Sequence, residues 1–218
     1  MVRVPLQTPA ATPIRPTQQA LKSAQTRTRL TAATIRCLVK FGFAHTTTPR
    51  IAAEAKLSRG AMLHHFESSA ALIHATVVEL HEKRLRALRR TATLDHSDVR
   101  TLVRTYWDQL SSPTFVAFHE LALAARTDKT LARVLLPLQQ EYQDRWYSEA
   151  VALFPEWQSD RESFDLALVM TRNLLEGMAL GRLTSSARDD MIEQMLIFVE
   201  REILALKPSP TRAAAGAG

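Results

Sequence analysis

The sequence predicts an all-α protein in which a small N-terminal helical domain precedes a larger one. Apolar residues recur every three to four positions along most of the chain, which is the period of an amphipathic helix. Alternating β-branched runs bounded by hairpin turns do not occur, and the 218 residues include only six glycines. With 46% hydrophobic residues, the chain is long enough to bury a core in one small and one medium domain.

Composition argues against membrane-spanning, secreted and disulfide-bonded classes. No stretch approaches the roughly 18 consecutive apolar residues that a membrane span requires. The N-terminus contains Pro5, Pro9, Pro13 and Pro16 and lacks the continuous apolar segment of a secretory signal. Cys37 is the single cysteine, which rules out an internal disulfide. We therefore expect a cytoplasmic protein with no membrane partner.

Charge is distributed unevenly along the chain. Residues 21–90 contain 13 Lys and Arg against 4 Asp and Glu, whereas residues 91–218 contain 13 against 18. A basic segment of this kind is typical of a surface that binds phosphate groups. The acidic remainder argues against a nonspecific polycation.

The first predicted helix follows a stretch with little to bury. Residues 1–22 are rich in Pro, Thr, Ala and Gln and are expected to form a disordered arm. Thr26 or Thr28 is expected to cap the helix, and Gly42 to end it. Between them, apolar residues repeat at helical spacing: Leu30, Ala33, Cys37, Leu38 and Phe41. The N-terminal domain is assigned to residues 23–68.

Two short helices joined by a tight turn are predicted within residues 47–66. Thr47 or Thr48 can cap the first of them. Pro49 is favoured in a first helical turn because its missing N–H would be unpaired there anyway. The same helix has a face of small side chains, which lets a second helix cross closely: Ile51, Ala52 and Ala55.

The second short helix follows a turn at residues 56–58. Ser58 is a natural N-cap, and Gly60 brings backbone N–H groups near whatever the helix end touches. Three side chains are expected to anchor the helix inward: Met62, Leu63 and Phe66. Four others are expected to face outward: Arg59, Ala61, His64 and His65. This pattern is typical of a helix-turn-helix that places its second helix against DNA.

The run from Ile51 to Phe66 resembles the DNA-binding domain of the TetR family of bacterial transcriptional regulators. The family pattern is approximately I-A-x-x-A-G-V-S-x-G-x-x-Y-x-H/Y-F, and this sequence keeps the following positions in register: Ile51, Ala52, Ala55, Ser58, Gly60, His65 and Phe66. The resemblance implies a ligand-responsive, dimeric transcriptional regulator, most often a repressor, that binds a double-stranded DNA operator.

Three positions depart from the family pattern. Lys56 stands where Gly is usual in the turn, and a left-handed non-Gly residue costs roughly 1 kcal/mol. Leu63 replaces a Tyr that commonly contacts a phosphate in the family. Ser69 replaces a Lys that usually opens the fourth helix and contacts the DNA backbone. These departures affect the expected footprint on DNA more than the fold.

The expected DNA contacts combine base recognition with phosphate binding. Arg59 has the donors to read guanine in the major groove, and Ala61 suits a thymine methyl group. By its position in the family motif, His65 is implied to bind phosphate. Residues that begin the preceding helix are placed for backbone contacts. The full predicted set is Thr47, Thr48, Arg50, Ser58, Arg59, Gly60, Ala61, His64 and His65.

The second domain, residues 69–206, is predicted to begin with a long linking helix. Ser68 or Ser69 opens that helix, which should extend to about Arg90. Pro and polar clusters then punctuate five more helices: 98–111, 113–126, 128–153, 161–182 and 188–206. Pro137 predicts a kink or a break in the third of them. Residues 207–218 have the composition of a disordered tail.

The last two helices are apolar on more than one side, which indicates burial on two sides. With the family resemblance, this implies a homodimer through a four-helix bundle, with interface residues Phe164, Leu168, Thr171, Leu175, Ile192, Met195 and Val199. The resemblance also implies a pocket for an unidentified apolar or amphipathic small-molecule effector. Residue type and helix placement suggest its lining: Trp107, Phe118, His119, Tyr142, Trp146 and Asn173.

Two alternatives remain open from the sequence. One is a DNA-binding regulator without an effector, which a fully packed second domain would favour. The other is a helical enzyme or metal-binding protein. The chain has no G-x-S-x-G elbow, phosphate-cradling glycine loop or dinucleotide fingerprint, and its two His-Glu pairs lack the second histidine of a zinc-hydrolase motif. We therefore expect no catalytic activity, no cofactor and no metal.

Overall fold

The computed structural model describes residues 17–186 and 188–208 as a helical protein. Within these ranges the α-helices, numbered in chain order, are α1 Gln18–Phe41, α2 Thr48–Glu54, α3 Arg59–His65, α4 Ser69–Arg90, α5 Val99–Leu110, α6 Pro113–Ala125, α7 Lys129–Leu153, α8 Arg161–Leu183 and α9 Asp189–Leu206. Short 3-10 turns follow α4 and α7. None of these helices is long and apolar enough to cross a lipid bilayer.

Helix α1 begins earlier than the sequence predicted. Thr17 is its N-cap, and the Thr17 hydroxyl accepts a backbone N–H from the first turn. Thr26 and Thr28 lie inside the helix, where each hydroxyl donates to the carbonyl four residues before it. The expected cap at either residue was therefore wrong, and residues 18–22 are helical rather than part of a disordered arm. Residues 1–16 lie outside the described ranges.

The N-terminal core is formed by α1, α2, α3 and the start of α4. Its buried members are Leu30, Ala33, Cys37, Ile51, Ala52, Ala55, Met62, Phe66 and Leu72. This confirms the predicted inward face of α2 and most of that of α1. Burial raises the pKa of the Cys37 thiol, which keeps it neutral and agrees with its expected role as a small buried hydrophobe.

Helices α1 and α4 each bury a second face against α6 and α7. Ile35 and Leu38 of α1 and Val77 of α4 share a core with Ala117 and Leu121 of α6. Five side chains of α4 at helical spacing are buried: Leu72, Ile73, Thr76, Val77 and Leu80. The N-terminal helices are therefore packed directly onto the second half of the chain, in addition to being joined to it by α4.

The second half contains two further cores. One lies among α5, α6, α8 and α9 around Trp107, Phe115 and Leu175. The other lies between α7 and α8 around Trp157 and Phe164. The observed bounds of α5 to α9 agree with the predicted ones to within one residue. Asp residues cap α5, α7 and α8, and Pro113 opens α6.

Two details at the ends and middle of this half differ from expectation. Pro137 does not break α7, which runs continuously through it. Lys207, the first residue of the expected disordered tail, is held in place because its Nζ donates to the His96 carbonyl at 3.0 Å. Residues 209–218 lie outside the described ranges.

The residues expected at a dimer interface lie mainly inside the subunit. Phe164, Leu175, Ile192 and Val199 are buried in the cores of a single chain, with at most 7% of their surface exposed. Leu168, Thr171 and Met195 are half-buried. The prediction was therefore wrong for the four buried residues, and for the other three it stays a prediction. Both helices are apolar on two sides, and periodicity does not say which side faces the subunit's own core.

The anchors of α3 also required one correction. Met62 and Phe66 are each 2% exposed, but Leu63 is 46% exposed. On a helix of seven residues, only one narrow face can pack against the neighbouring helices, and Leu63 lies beside that face.

We expect this difference to appear in the free energy of unfolding. Met62→Ala should lower it by about 2–5 kcal/mol, because it leaves a cavity in a packed core. Leu63→Ala should change it by less than about 0.5 kcal/mol, since the side chain is largely in solvent. Urea denaturation of the two variants and the unmodified protein measures both values. Equal losses for the two substitutions would contradict the packing described here.

Candidate nucleic-acid interface and ligand cavity

A left-handed residue and a serine cap set the angle between α2 and α3. Lys56 has a φ of 53°, the left-handed conformation expected for this turn despite the absence of Gly. Ser58 is the N-cap of α3, and its Oγ accepts the Ala61 N–H at 3.1 Å. The two local signals read from the sequence therefore define where α3 begins.

The outer side of α3 has hydrogen-bonding side chains around an open backbone. Arg59 and His64 are exposed, and Ala61 and His65 are half-buried. A Cβ atom added at Gly60 would meet no atom within 4 Å. The first turn of α3 is therefore accessible to a surface as large as a DNA groove.

The far end of α3 is held by the N-terminal extension of α1. Arg27 donates to the His65 carbonyl, and its guanidinium lies 4.0 Å from the centroid of the Phe66 ring. The Ser23 hydroxyl lies 3.5 Å from His65 Nδ1. These contacts satisfy a carbonyl at the helix C-terminus and restrain the orientation of α3. The sequence analysis missed them, because a pairing 38 residues apart has no signal in local periodicity.

The start of α2 presents a second polar edge. Thr47 is the N-cap of α2, but its side chain makes no capping hydrogen bond, so its exposed hydroxyl remains available. Thr48 is half-buried in the first turn. The Arg50 guanidinium rests 4.8 Å from the Phe41 ring centroid and donates to the His45 carbonyl at 3.2 Å. Arg50 is therefore held at this edge rather than free in solvent.

A carboxylate of α6 also contacts the turn between α1 and α2. Glu120 on α6 accepts the Phe43 N–H at 3.3 Å, in the turn between α1 and α2. Gly42 has a φ of 71°, and a Cβ there would lie 3.1 Å from Glu120 Oε2. Glycine therefore allows both the turn and the close approach of this carboxylate. Movement of α6 would therefore displace the turn that precedes α2, because Glu120 is bonded to that turn.

A cavity of about 960 Å³ that is partly open to solvent lies between the helices of the second half. Four of the six residues expected to line a pocket do so: Phe118, Tyr142, Trp146 and Asn173. Trp107 and His119 do not. Trp107 is buried in the core of α5 and α8, and His119 Nδ1 bonds the Phe115 carbonyl within α6. Helical periodicity alone does not show whether a given side of a helix packs into a core or lines a cavity.

Polar groups form a network on the cavity wall that the sequence analysis did not anticipate. Arg84 on α4 pairs with Glu176 on α8 at 3.1 Å, and the Tyr106 hydroxyl donates to the same carboxylate oxygen at 3.2 Å. The Arg84 guanidinium lies between two rings, 4.9 Å from the centroid of Phe118 and 4.7 Å from that of Tyr142. Burial raises the pKa of both tyrosines, so both hydroxyls stay protonated.

His81 is a buried titratable group beside this network. Its ring stacks on Tyr142 at 4.5 Å between centroids, and Nε2 lies 3.1 Å from Gln139 Oε1. Burial, with the nearby positive charge of Arg84, lowers the pKa of His81 to about 4. The imidazole is therefore neutral at physiological pH.

This depressed pKa predicts a dependence of stability on pH. The unfolded chain takes up a proton at His81 near pH 6.5, whereas the folded chain does so only near pH 4. Stability should therefore fall as pH decreases through this window, by up to about 3 kcal/mol from this group. Denaturation curves at several pH values measure the slope, and His81→Gln should flatten it. An unchanged slope in that variant would exclude His81 as its source.

In the described part of the chain, no group of three or more His, Cys, Asp or Glu is arranged to hold a metal ion. The histidines there instead bond neighbouring groups or face solvent.

Comparison with known proteins gives one match to the N-terminal helices and others to most of the chain. Residues 30–76, from the middle of α1 into α4, match the model of the bacterial regulatory proteins, tetR family. An uncharacterized HTH-type transcriptional regulator of Mycobacterium tuberculosis H37Rv is 27% identical over 174 residues, which cover 76% of this chain and 86% of that protein.

Solved structures share the arrangement of helices. A member of the TetR family from Streptomyces coelicolor A3 is 20% identical, with a TM-score of 0.60 over 85% of this chain and 99% of that one. The multidrug binding protein EbrR, solved in complex with ethidium, is 21% identical, with a TM-score of 0.56 over 84% and 99% of the two chains. At these identities, the likeness establishes the fold.

Proposed function

Because this chain belongs to the TetR family of transcriptional regulators, we propose that it acts as a dimeric repressor on a palindromic operator. An amphipathic small molecule in the cavity of about 960 Å³ would release it from the DNA. A regulator of this kind works where the chromosome is, so we place it in the cytoplasm. The members of the family are transcriptional regulators, and we propose no enzymatic activity.

The observation that carries this proposal is the open outer side of α3. We assign Arg59 to guanine in the major groove and Ala61 to a thymine methyl. His64 lies beside them, and the exposed Gly60 lets the helix approach the groove closely. His65 and the edge formed by Thr47, Thr48, Arg50 and Ser58 are assigned to phosphate groups.

A dimer with two-fold symmetry would bring a second α3 helix to the other half of the palindromic operator. Eight large apolar residues on α8 and α9 are exposed: Leu166, Val169, Leu180 and Leu183, and Met191, Ile197, Phe198 and Leu204. On α8 the successive spacings of 3, 11 and 3 residues keep the four side chains on one side of the helix. On α9 Met191 and Phe198, and likewise Ile197 and Leu204, are seven residues apart, so the four form two adjacent rows on one side. We assign this side, hereafter the exposed α8–α9 face, to a four-helix bundle with a second copy.

Two routes connect the cavity to α3. Helix α4 supplies cavity residues at its C-terminal end, and its first turn follows α3 directly. Helix α6 lines the cavity with Phe115 and Phe118 and contacts the turn before α2 through Glu120. An effector that favours another position of either helix would change the spacing of the two α3 helices and lower operator affinity.

The cavity also bears on the two alternatives. A fully packed second half would favour a regulator without an effector, and a volume of about 960 Å³ favours one with an effector. The family to which the chain belongs argues against the enzyme alternative.

The experiment that tests the proposal is selection of genomic fragments by the purified chain at several salt concentrations, followed by sequencing of the bound DNA. We expect a palindromic site to be enriched, with log affinity falling linearly with log salt. Retention of DNA without an enriched sequence would contradict specific recognition. An enriched site without two-fold symmetry would contradict the dimer.

A further inference from the structure

The wall of the cavity has more cationic than anionic side chains. Six Lys or Arg residues line it, against three Asp or Glu residues. Lys83 and Arg86 pair with Glu79 on α4, and Arg90 is exposed. Arg84 and Arg172 instead lie against the aromatic rings of the wall.

Arg84 has unused hydrogen-bonding capacity. A guanidinium has five N–H donors, and Arg84 makes one hydrogen bond, from Nη2 to Glu176. Its Nη1 is buried and has no acceptor among the residues that the structure describes. A buried donor without a partner is costly, so a ligand acceptor at this point would be strongly favoured.

Arg172 and Thr171 on α8 offer two further donors to the same cavity. Among the described residues Arg172 forms no ion pair, and its guanidinium lies 5.8 Å from the Trp146 ring centroid. The Thr171 hydroxyl is buried and has no hydrogen-bond partner within residues 17–186 and 188–208. Arg172 lies four residues, about one helical turn, before Glu176 on the same side of α8, whereas Thr171 lies five residues before it. Both residues line the same cavity as Arg84.

The single negative charge of Glu176 does not offset the two positive charges of Arg84 and Arg172. Its Oε1 already accepts from Arg84 and from the Tyr106 hydroxyl. A cationic ligand would have to compete with Arg84 for this carboxylate, whereas an anionic ligand would meet Arg172 with its charge uncompensated. The electrostatic preference of the cavity is therefore for an anion.

We propose that the effector is an amphipathic organic carboxylate. Its carboxylate group accepts hydrogen bonds from Arg84, Arg172 and Thr171, and its apolar body lies along Phe118, Tyr142 and Trp146. This inference rests on the proposed function of the cavity as an effector site and adds the chemical class of the ligand.

Three probes with the same C12 chain test the proposal: dodecanoate, dodecanamide and dodecylammonium. Each is titrated into the full chain at pH 7.5, below its critical micelle concentration, with tryptophan fluorescence and calorimetry as readouts. Dodecanoate is ionised at this pH. We expect it to bind roughly tenfold or more tightly than the other two, because charge-assisted hydrogen bonds to arginine are made only by the carboxylate.

The variant Arg172→Gln locates the carboxylate group. It breaks no ion pair among the described residues, so it leaves no unpaired carboxylate behind. We expect it to weaken dodecanoate binding roughly tenfold without changing dodecanamide binding. The matched control is Arg161→Gln on the same helix. Arg161 also lies near an aromatic ring, 5.8 Å from Phe164, but is not part of the cavity wall.

The double variant Arg84→Gln, Glu176→Gln removes both charges of the buried pair and should reduce the preference for dodecanoate without abolishing it, because Arg172 remains cationic. Equal binding of all three probes, or tighter binding of dodecylammonium, would overturn the carboxylate proposal and leave effector binding in the cavity intact. Failure of every probe to bind would overturn the carboxylate proposal together with effector binding. Operator affinity measured without any probe reports on DNA binding separately.

Discussion

Gly60→Trp is expected to lower operator affinity about 100-fold or more with little change in the free energy of unfolding. A bulky ring on the outer side of α3 would hold the helix away from the base edges, and each lost base contact is worth about 1–3 kcal/mol. The open space at Gly60 means that the ring has room in the free protein. Fluorescence anisotropy with the selected operator measures affinity, and urea denaturation measures stability.

Gly60→Ala is the matched control, because it removes the glycine without adding bulk. We expect its affinity to stay within a few-fold of the unmodified protein. Unchanged affinity in the Trp variant would exclude α3 as the helix that enters the groove. An equal loss of operator affinity in both variants would mean that binding requires the glycine itself and not only the open space in front of it.

A variant with charges on the exposed α8–α9 face is expected to be a folded monomer. Val169 and Ile197 are each 50% exposed in the single chain, so Val169→Glu with Ile197→Glu should leave its core intact. In a dimer each pair of charges would be buried without partners, which opposes association. Because a monomer engages one half-site, operator affinity should fall about 10²–10⁴-fold. Analytical ultracentrifugation and anisotropy provide the two measurements.

Leu136→Glu supplies the control for this experiment. Leu136 is 62% exposed but lies on α7, outside the proposed interface. We expect the control to keep the dimer and its operator affinity. Persistence of the dimer in the double variant would place the interface elsewhere, and dissociation of the Leu136→Glu protein would show that α7 takes part.

For α8 and α9, local sequence determines where each helix begins and ends, but not which apolar side faces the subunit's own core. Their bounds and their apolar periodicity are visible in the sequence, because capping residues and spacing act over a few positions. The sequence analysis nevertheless assigned Phe164 and Leu175 to an interface, although both are buried in the subunit. A helix with two apolar sides requires knowledge of its neighbours before either side can be assigned.

By itself, the sequence determined the helix-turn-helix. The cap at Ser58 and the stop at Gly42 each depend on the conformational preferences of one residue. The left-handed turn at Lys56 follows the family pattern against the preference of lysine. Tertiary structure alone decided the restraint of α3 by Arg27, the contact between Glu120 and Phe43, and the Arg84–Glu176 pair in the cavity. Each joins residues at least 38 positions apart, and such pairs meet only when packing of the helices brings their side chains together.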